Sequence, residues 1–221
     1  MEECKIKNLY NLNETIAKEL LEKFEYPWEA LPYISEFIIE LGKTLPKDEY
    51  EEISENVWVH KTAKVFESAY INGPAIICEN AELRHCAFIR RDAIVGRGAT
   101  VGNSTELKNV ILFNNVEVAH YNYVGDSILG YKAHMGAGAI TANIKSDRKN
   151  IIIRKENEGI ETGLRKIGAM LGDNVEVGCS SVLNPGTIIG KNTNVYSLSM
   201  IRGVVPENSI YKNKEEIVKK I

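Results

Sequence analysis

One stretch of the sequence concentrates side chains able to do acid–base chemistry: Ala119-His120-Tyr121-Asn122-Tyr123-Val124-Gly125-Asp126-Ser127, followed by Gly136-Ala137-Gly138-Ala139-Ile140-Thr141-Ala142-Asn143. An imidazole titrates near neutral pH, so His120 is a candidate to take a proton from a nucleophile. Arg90 and Lys108 stand 18 residues apart, and His120 lies 12 further on. Two cations held on neighbouring corners of a fold suit a phosphate monoester. Gly136-Ala137-Gly138 does not read as a nucleotide loop, because no strand-to-helix transition follows it. A tight corner needs glycine for its own reasons.

These groups are positioned by a six-residue ruler. Val59, Val65, Ile71, Ile77, Leu83, Ile89, Val95, Val101 and Leu107 stand six apart without a gap. A small residue follows the first eight of them by four, from Ala63 to Ala99 and then Thr105, and the rule lapses at Ile111. The ruler continues through Phe113, shortens by one to Val118, runs to Val124, shortens again to Leu129 and resumes at Met135. It returns from Leu171 through Ile201. Strands repeat every two residues and helices every 3.6, so a strict six predicts a short flat strand and a tight corner. Three such sides close a turn of about 18 residues, and stacked turns pair at roughly 4.8 Å as a parallel β-helix solenoid. Handedness does not follow from this geometry, although parallel crossovers are generally right-handed.

Residues 1–56 read differently. Asn13 is placed to cap a helix through about Phe24, with Ile16, Leu20, Leu21 and Phe24 on one face. A second helix is expected from near Trp28–Pro32 to Gly42, a candidate C-terminal cap. The segment is read as a helical cap on one end of a solenoid domain spanning 57–221. Residues 142–166 match no hexad and are read as a loop ejected from one corner, the kind of long loop that tends to carry function.

Residues 1–56 hold 14 acidic and 6 basic groups, leaving 16 acidic and 21 basic for the rest. The surplus of positive charge in the solenoid suits a small anionic ligand, and it is too dilute for nucleic acid. Four scattered cysteines with no C-x-x-C pair argue against a disulfide framework or a cysteine zinc site. No apolar run is long enough to span a bilayer, and the acidic start lacks the form of a secretory signal. A cytoplasmic protein is expected.

The two motif segments resemble the acetyltransferase domain of the bifunctional enzymes that make UDP-N-acetylglucosamine, within the hexapeptide-repeat acyltransferases. In that family they read approximately H-x-x-Y-x-G-D and G-A-G-x-I-T-x-N. The resemblance covers most of residues 59–214 and implies a mainly β, left-handed parallel β-helix. It also implies acetyl-CoA-dependent N-acetylation of an amino-sugar 1-phosphate, glucosamine-1-phosphate first, by a homotrimer in nucleotide-sugar biosynthesis. On that resemblance His120 is the general base, and Arg90 and Lys108 hold the phosphate. Tyr123 and Asn143 position the sugar, and Lys149 brings the loop onto the site. Cys179, Ser197 and Lys214 align with contacts to coenzyme A, with His134 beside the donor or the amide. No metal is called for. Nothing in 1–56 resembles a nucleotidyltransferase, so a separate enzyme of that kind is a possible partner. Two other readings stand beside this one: a non-catalytic trimeric scaffold, and a zinc carbonic anhydrase-like protein. The latter has His85 and His120 two turns apart and no third histidine near Gly125. His60 and His85 are read as surface residues.

Overall fold

A computed structural model describes residues 1–155, 157–213 and 215–220. The ruler folds into a β-solenoid of about nine turns. One inward column runs Val59, Ile77, Val95, Leu112, Leu129, Leu171, Ile189 and Val205, in parallel register from turn to turn. A second runs through Leu83, Val101, Val118, Met135, Val177 and Val195. The third runs through Ile89, Leu107, Val124, Thr141, Leu183 and Ile201. Most corners turn on a residue in the left-handed region, frequently Asn, Asp or Gly, whose side chains tolerate it best.

The ruler slips where the motifs lie. Leu112, not Phe113, takes the place beneath Leu129, so the first short step falls between Leu107 and Leu112. The corners at Asn109 and Asp126 are one residue tighter than the corner at Asp92, which appears as a bulge between Ile89 and Arg91. At these three turns the strands Phe88–Val95, Glu106–Leu112 and Tyr123–Leu129 run on round the corner, joining the third and first faces into one 13-stranded sheet.

The helical segment is not a cap on the end. It lies along the first face, where Trp58, Ile76, Ile94, Ile111 and Ile128 point outward and are nonetheless buried. The helix Ile34–Thr44 packs across Ala75–Ile77, Phe88–Val95 and Glu106–Leu112, and the 3-10 turn Pro27–Tyr33 reaches Tyr123–Leu129. Tyr10 completes the cover, its ring 5.0 Å from Phe113 and its hydroxyl donating to the Ile128 carbonyl. The edge of the solenoid is instead met by Tyr50–Ser54, antiparallel to Val57–His60, and the far edge by Glu216–Lys219 against Ser209–Asn213.

The expected first helix shrinks to Lys18–Leu21 after a 3-10 turn that Asn11, not Asn13, caps. Leu20 and Leu21 are still buried. Gly42 does not end the second helix; it lies inside Ile34–Thr44, where a Cβ would stand 2.2 Å from the Trp58 ring. Gly42 is therefore a seat for Trp58. Gly42→Ala should destabilise by about 1–3 kcal/mol through overpacking. That lowers the thermal midpoint by about 3–10 °C for a chain of this size. An unchanged melting curve would show that Trp58 yields freely.

Candidate functional site

The corner after the second face carries His85, Asn103, His120, Ala137, Cys179 and Ser197 at equivalent positions. Backbone hydrogen bonds link them turn by turn, Ser104 N–H to His85, Tyr121 to Asn103, Gly138 to His120, Ser180 to Ala137 and Leu198 to Cys179. His120, Cys179 and Ser197 thus share one edge. The third face then presents Phe88, Glu106, Tyr123, Ile140, Val182 and Met200 outward in one row. The following corner carries Arg90, Lys108, Gly125, Ala142, Asn184 and Arg202. Tyr123 therefore lies on a single strand-width of surface between His120 and Lys108.

Around Tyr123 a closed polar cluster has formed. Lys108 donates to both carboxylate oxygens of Asp126, at 2.7 and 2.9 Å. Asn109 Nδ2 donates to Asp126 Oδ1 at 2.9 Å, and Asn143 Nδ2 donates to Oδ2 at 2.5 Å. The same Asn143 amide lies 3.2 Å from the Tyr123 hydroxyl. The Asp126 carbonyl accepts from Gly168, so Asp126 ties both ends of the ejected loop to one corner. A Cβ on Gly125 would stand 2.5 Å from the Tyr123 hydroxyl, so glycine is what lets the phenol lie over this corner. Beneath it Thr141 and Ser127, both fully buried, bond the Gly125 and Ala169 backbone.

Burial, followed by the nearby Asp126 and Glu106 carboxylates, holds the Tyr123 phenol above its ordinary value, so it stays a proton donor. Lys108 and Asp126 are 8% and 4% exposed at their side chains, a buried ion pair that places no net charge at the site. Lys108 is thus less open than its spacing suggested. Arg90 is the more open of the two: its side chain is 55% exposed and meets Glu106 at 3.1 Å. The bulge leaves Arg91, not Arg90, paired with Lys108.

His120 is exposed, and its ring has no hydrogen-bond partner among the described residues. Its backbone is fixed. Its N–H donates to Asn122 Oδ1, and the buried Asn122 amide in turn donates to the Gly136 and Ala139 carbonyls at 2.9 Å each. The imidazole is presented from a rigid corner and left free at its tip.

Two expected residues are not brought to this cluster. Lys149 lies exposed in the loop, with only its backbone N–H engaged, to Asp147. His134 is on the second face, 2.9 Å from Glu176 and in register with Glu117, three residues short of the His120 corner. Lys214 falls outside the described residues. Among the described residues no three His, Cys, Asp or Glu converge as metal ligands, and His85 packs against Phe66. Burial pushes the Cys78 and Cys4 thiols up to about 12, so both are inert. The residue that the sequence reading left without a role is Asp126, although it closes the first motif.

Fold, corner rows and motif pair together are those of the hexapeptide-repeat acyltransferases, in the form of the GlmU acetyltransferase domain. Within that class the chain belongs to the family described as GMPPB C-terminal domain, whose pattern matches residues 71–218. The Bifunctional protein GlmU of Methanococcus maripaludis strain C5 is 33% identical over 195 residues, covering 87% of this chain and 47% of that protein. The Bifunctional sugar-1-phosphate nucleotidylyltransferase/acetyltransferase of Sulfurisphaera tokodaii is 27% identical over 174 residues, 71% of this chain and 43% of that one. The chain spans about half the length of these curated relatives. The solved acetyltransferase domain of PglB from Neisseria gonorrhoeae FA1090 covers 73% of this chain and 56% of that chain at 15% identity. Its TM-score of 0.34 is too low to bear on the site. No described helix is long and apolar enough to cross a membrane.

Proposed function

We propose that this chain carries an acetyl-CoA-dependent N-acetyltransferase acting on an amino-sugar 1-phosphate, glucosamine-1-phosphate first. The observation that carries the reading is the placing of Tyr123 between the free imidazole of His120 and the Lys108–Asp126–Asn143 cluster. Sugar hydroxyls are met by Tyr123 and Asn143, and the anomeric phosphate by Arg90 with the remaining Lys108 N–H. The sugar amine attacks the thioester carbonyl, His120 takes the amine proton, and collapse of the tetrahedral adduct breaks the C–S bond. The departing thiolate leaves as coenzyme A once protonated. No acyl-enzyme forms.

The coenzyme A arm is assigned to the edge running from His120 past Cys179 and Ser197. Leu198 and Met200 stand 83% and 64% exposed beside it. Such apolar exposure supports a covering second chain, and a homotrimer would let the second face of one copy bring its His134 to the edge of another. The Sulfurisphaera tokodaii relative joins a sugar-1-phosphate nucleotidylyltransferase to an acetyltransferase by name, which supports a sugar-phosphate acceptor and a nucleotidyltransferase partner.

The test is coenzyme A release from acetyl-CoA, read with a thiol reagent, comparing glucosamine-1-phosphate, galactosamine-1-phosphate, glucosamine-6-phosphate and no sugar. Turnover confined to 1-phosphates is expected. Silence with every sugar, from protein that still binds acetyl-CoA, would assign the site a different acceptor.

A further inference from the structure

The corner that bears Lys108 continues beyond the loop's neck through Ala142, Asn184 and Arg202, one per turn. The ejected segment is not a loose loop: Ile152–Lys155 pairs with Glu158–Glu161 as a hairpin that lies back along this corner. Its seat is cut into the solenoid. Gly186 and Gly203 are left-handed at φ +77° and +81°. A Cβ on Gly186 would stand 2.7 Å from Ile151, and one on Gly203 would stand 2.8 Å from the Arg154 carbonyl oxygen. Ile151 and Ile153 are buried there.

Between hairpin and corner is a cavity of about 600 Å³, lined among others by Ser146, Ile152, Arg154, Asn184 and Arg202. Lys145 also lines it and is answered by Asp147 at 3.4 Å. Arg154 and Arg202 have no acid partner among the described residues, unlike Arg90 and Lys108 on the same corner.

We propose that this cavity is a second binding site, for a phosphate-bearing small molecule of nucleotide size. Its volume lies within the roughly 300–1,000 Å³ of small-molecule sites. Two guanidinium forks supply the bidentate geometry that phosphate groups take. Asn184 and Ser146 add neutral polar groups, and Ile152 offers an apolar wall for a ring. Because Ala142 and Ile144 line the cavity, it opens beside Asn143. The occupant is therefore either the nucleotide end of a sugar-nucleotide acceptor or a separate nucleotide effector. Only that choice rests on the acetyltransfer reading; the binding does not.

The experiment is calorimetric titration of the full chain at low salt with inorganic pyrophosphate, UDP and GDP. Saturable binding of at least one probe is expected, weakened about tenfold or more in Arg154→Ala and in Arg202→Ala, and unchanged in Lys23→Ala on the helical segment. No binding of any probe, or equal binding by both arginine variants, overturns the proposal. The source is then read from acetyl transfer. A raised KM for UDP-glucosamine in Arg202→Ala identifies the acceptor's nucleotide end. A rate with glucosamine-1-phosphate that UDP alters without competing identifies an effector. Binding without any acetyl transfer would count against the acetyltransferase reading alone.

Discussion

His120→Ala should lower acetyl transfer by about 10²–10⁴-fold, the usual worth of a positioned general base. The loss should fall on kcat and leave the KM for the amino sugar nearly unchanged, because the imidazole touches none of the groups that hold the sugar. The structure makes the variant clean. The ring is exposed with no partner to orphan among the described residues, and the corner is held through Asn122 and the Gly138 N–H, none of which the substitution removes. An alanine variant that turns over at the wild-type rate would place the base elsewhere.

How much of this was legible in the sequence depends on which side of a strand is considered. The inward column repeats every six residues because the interior of the solenoid is uniform, so it could be counted directly. The outward side is not uniform, and its signal is of another kind. Ala75-Ile76-Ile77, Val110-Ile111-Leu112 and Ala169-Met170-Leu171 are apolar at three consecutive positions, the mark of a strand buried on both faces. Such triplets recur turn after turn along the first face, where the helices lie. A cap on the end of the solenoid left them unexplained. Phe113 reads as a rung for a related reason. It is large and fully buried, but it is buried against Tyr10 outside the solenoid. At the site, His120, Tyr123 and Asn143 stood out because they break the repeat. Spacing gave Lys108 its corner and could not reveal its partner, since an Asp one turn later reads the same whether it faces solvent or a buried ammonium.

Asp126→Asn should then cost about 3–5 kcal/mol, because it leaves the Lys108 ammonium buried without a counter-charge. Asn is the fitting replacement, since residue 126 is left-handed at φ 49°, a conformation Asn adopts readily. Its single amide oxygen can accept from only one of Asn109 and Asn143, so the cost holds that lost bond as well as the missing charge. At about 2–4 °C per kcal/mol for a chain of this length, the thermal midpoint should fall by about 10 °C. Adding Lys108→Met removes the stranded ammonium, and stability should return to within about 1 kcal/mol of wild type, as buried ion pairs replaced together usually allow. Acetyl transfer should not return with it. With Met at 108 the N–H offered to the phosphate is gone, and the KM for the sugar phosphate should stay raised at a recovered midpoint. That separation of stability from substrate affinity distinguishes a pair kept for binding from one kept for the fold. If Asp126→Asn melts with the wild type, Lys108 reaches water and its charge is open to the ligand directly. If the double variant recovers both midpoint and KM, the pair serves only to close the corner, and Arg90 alone holds the phosphate.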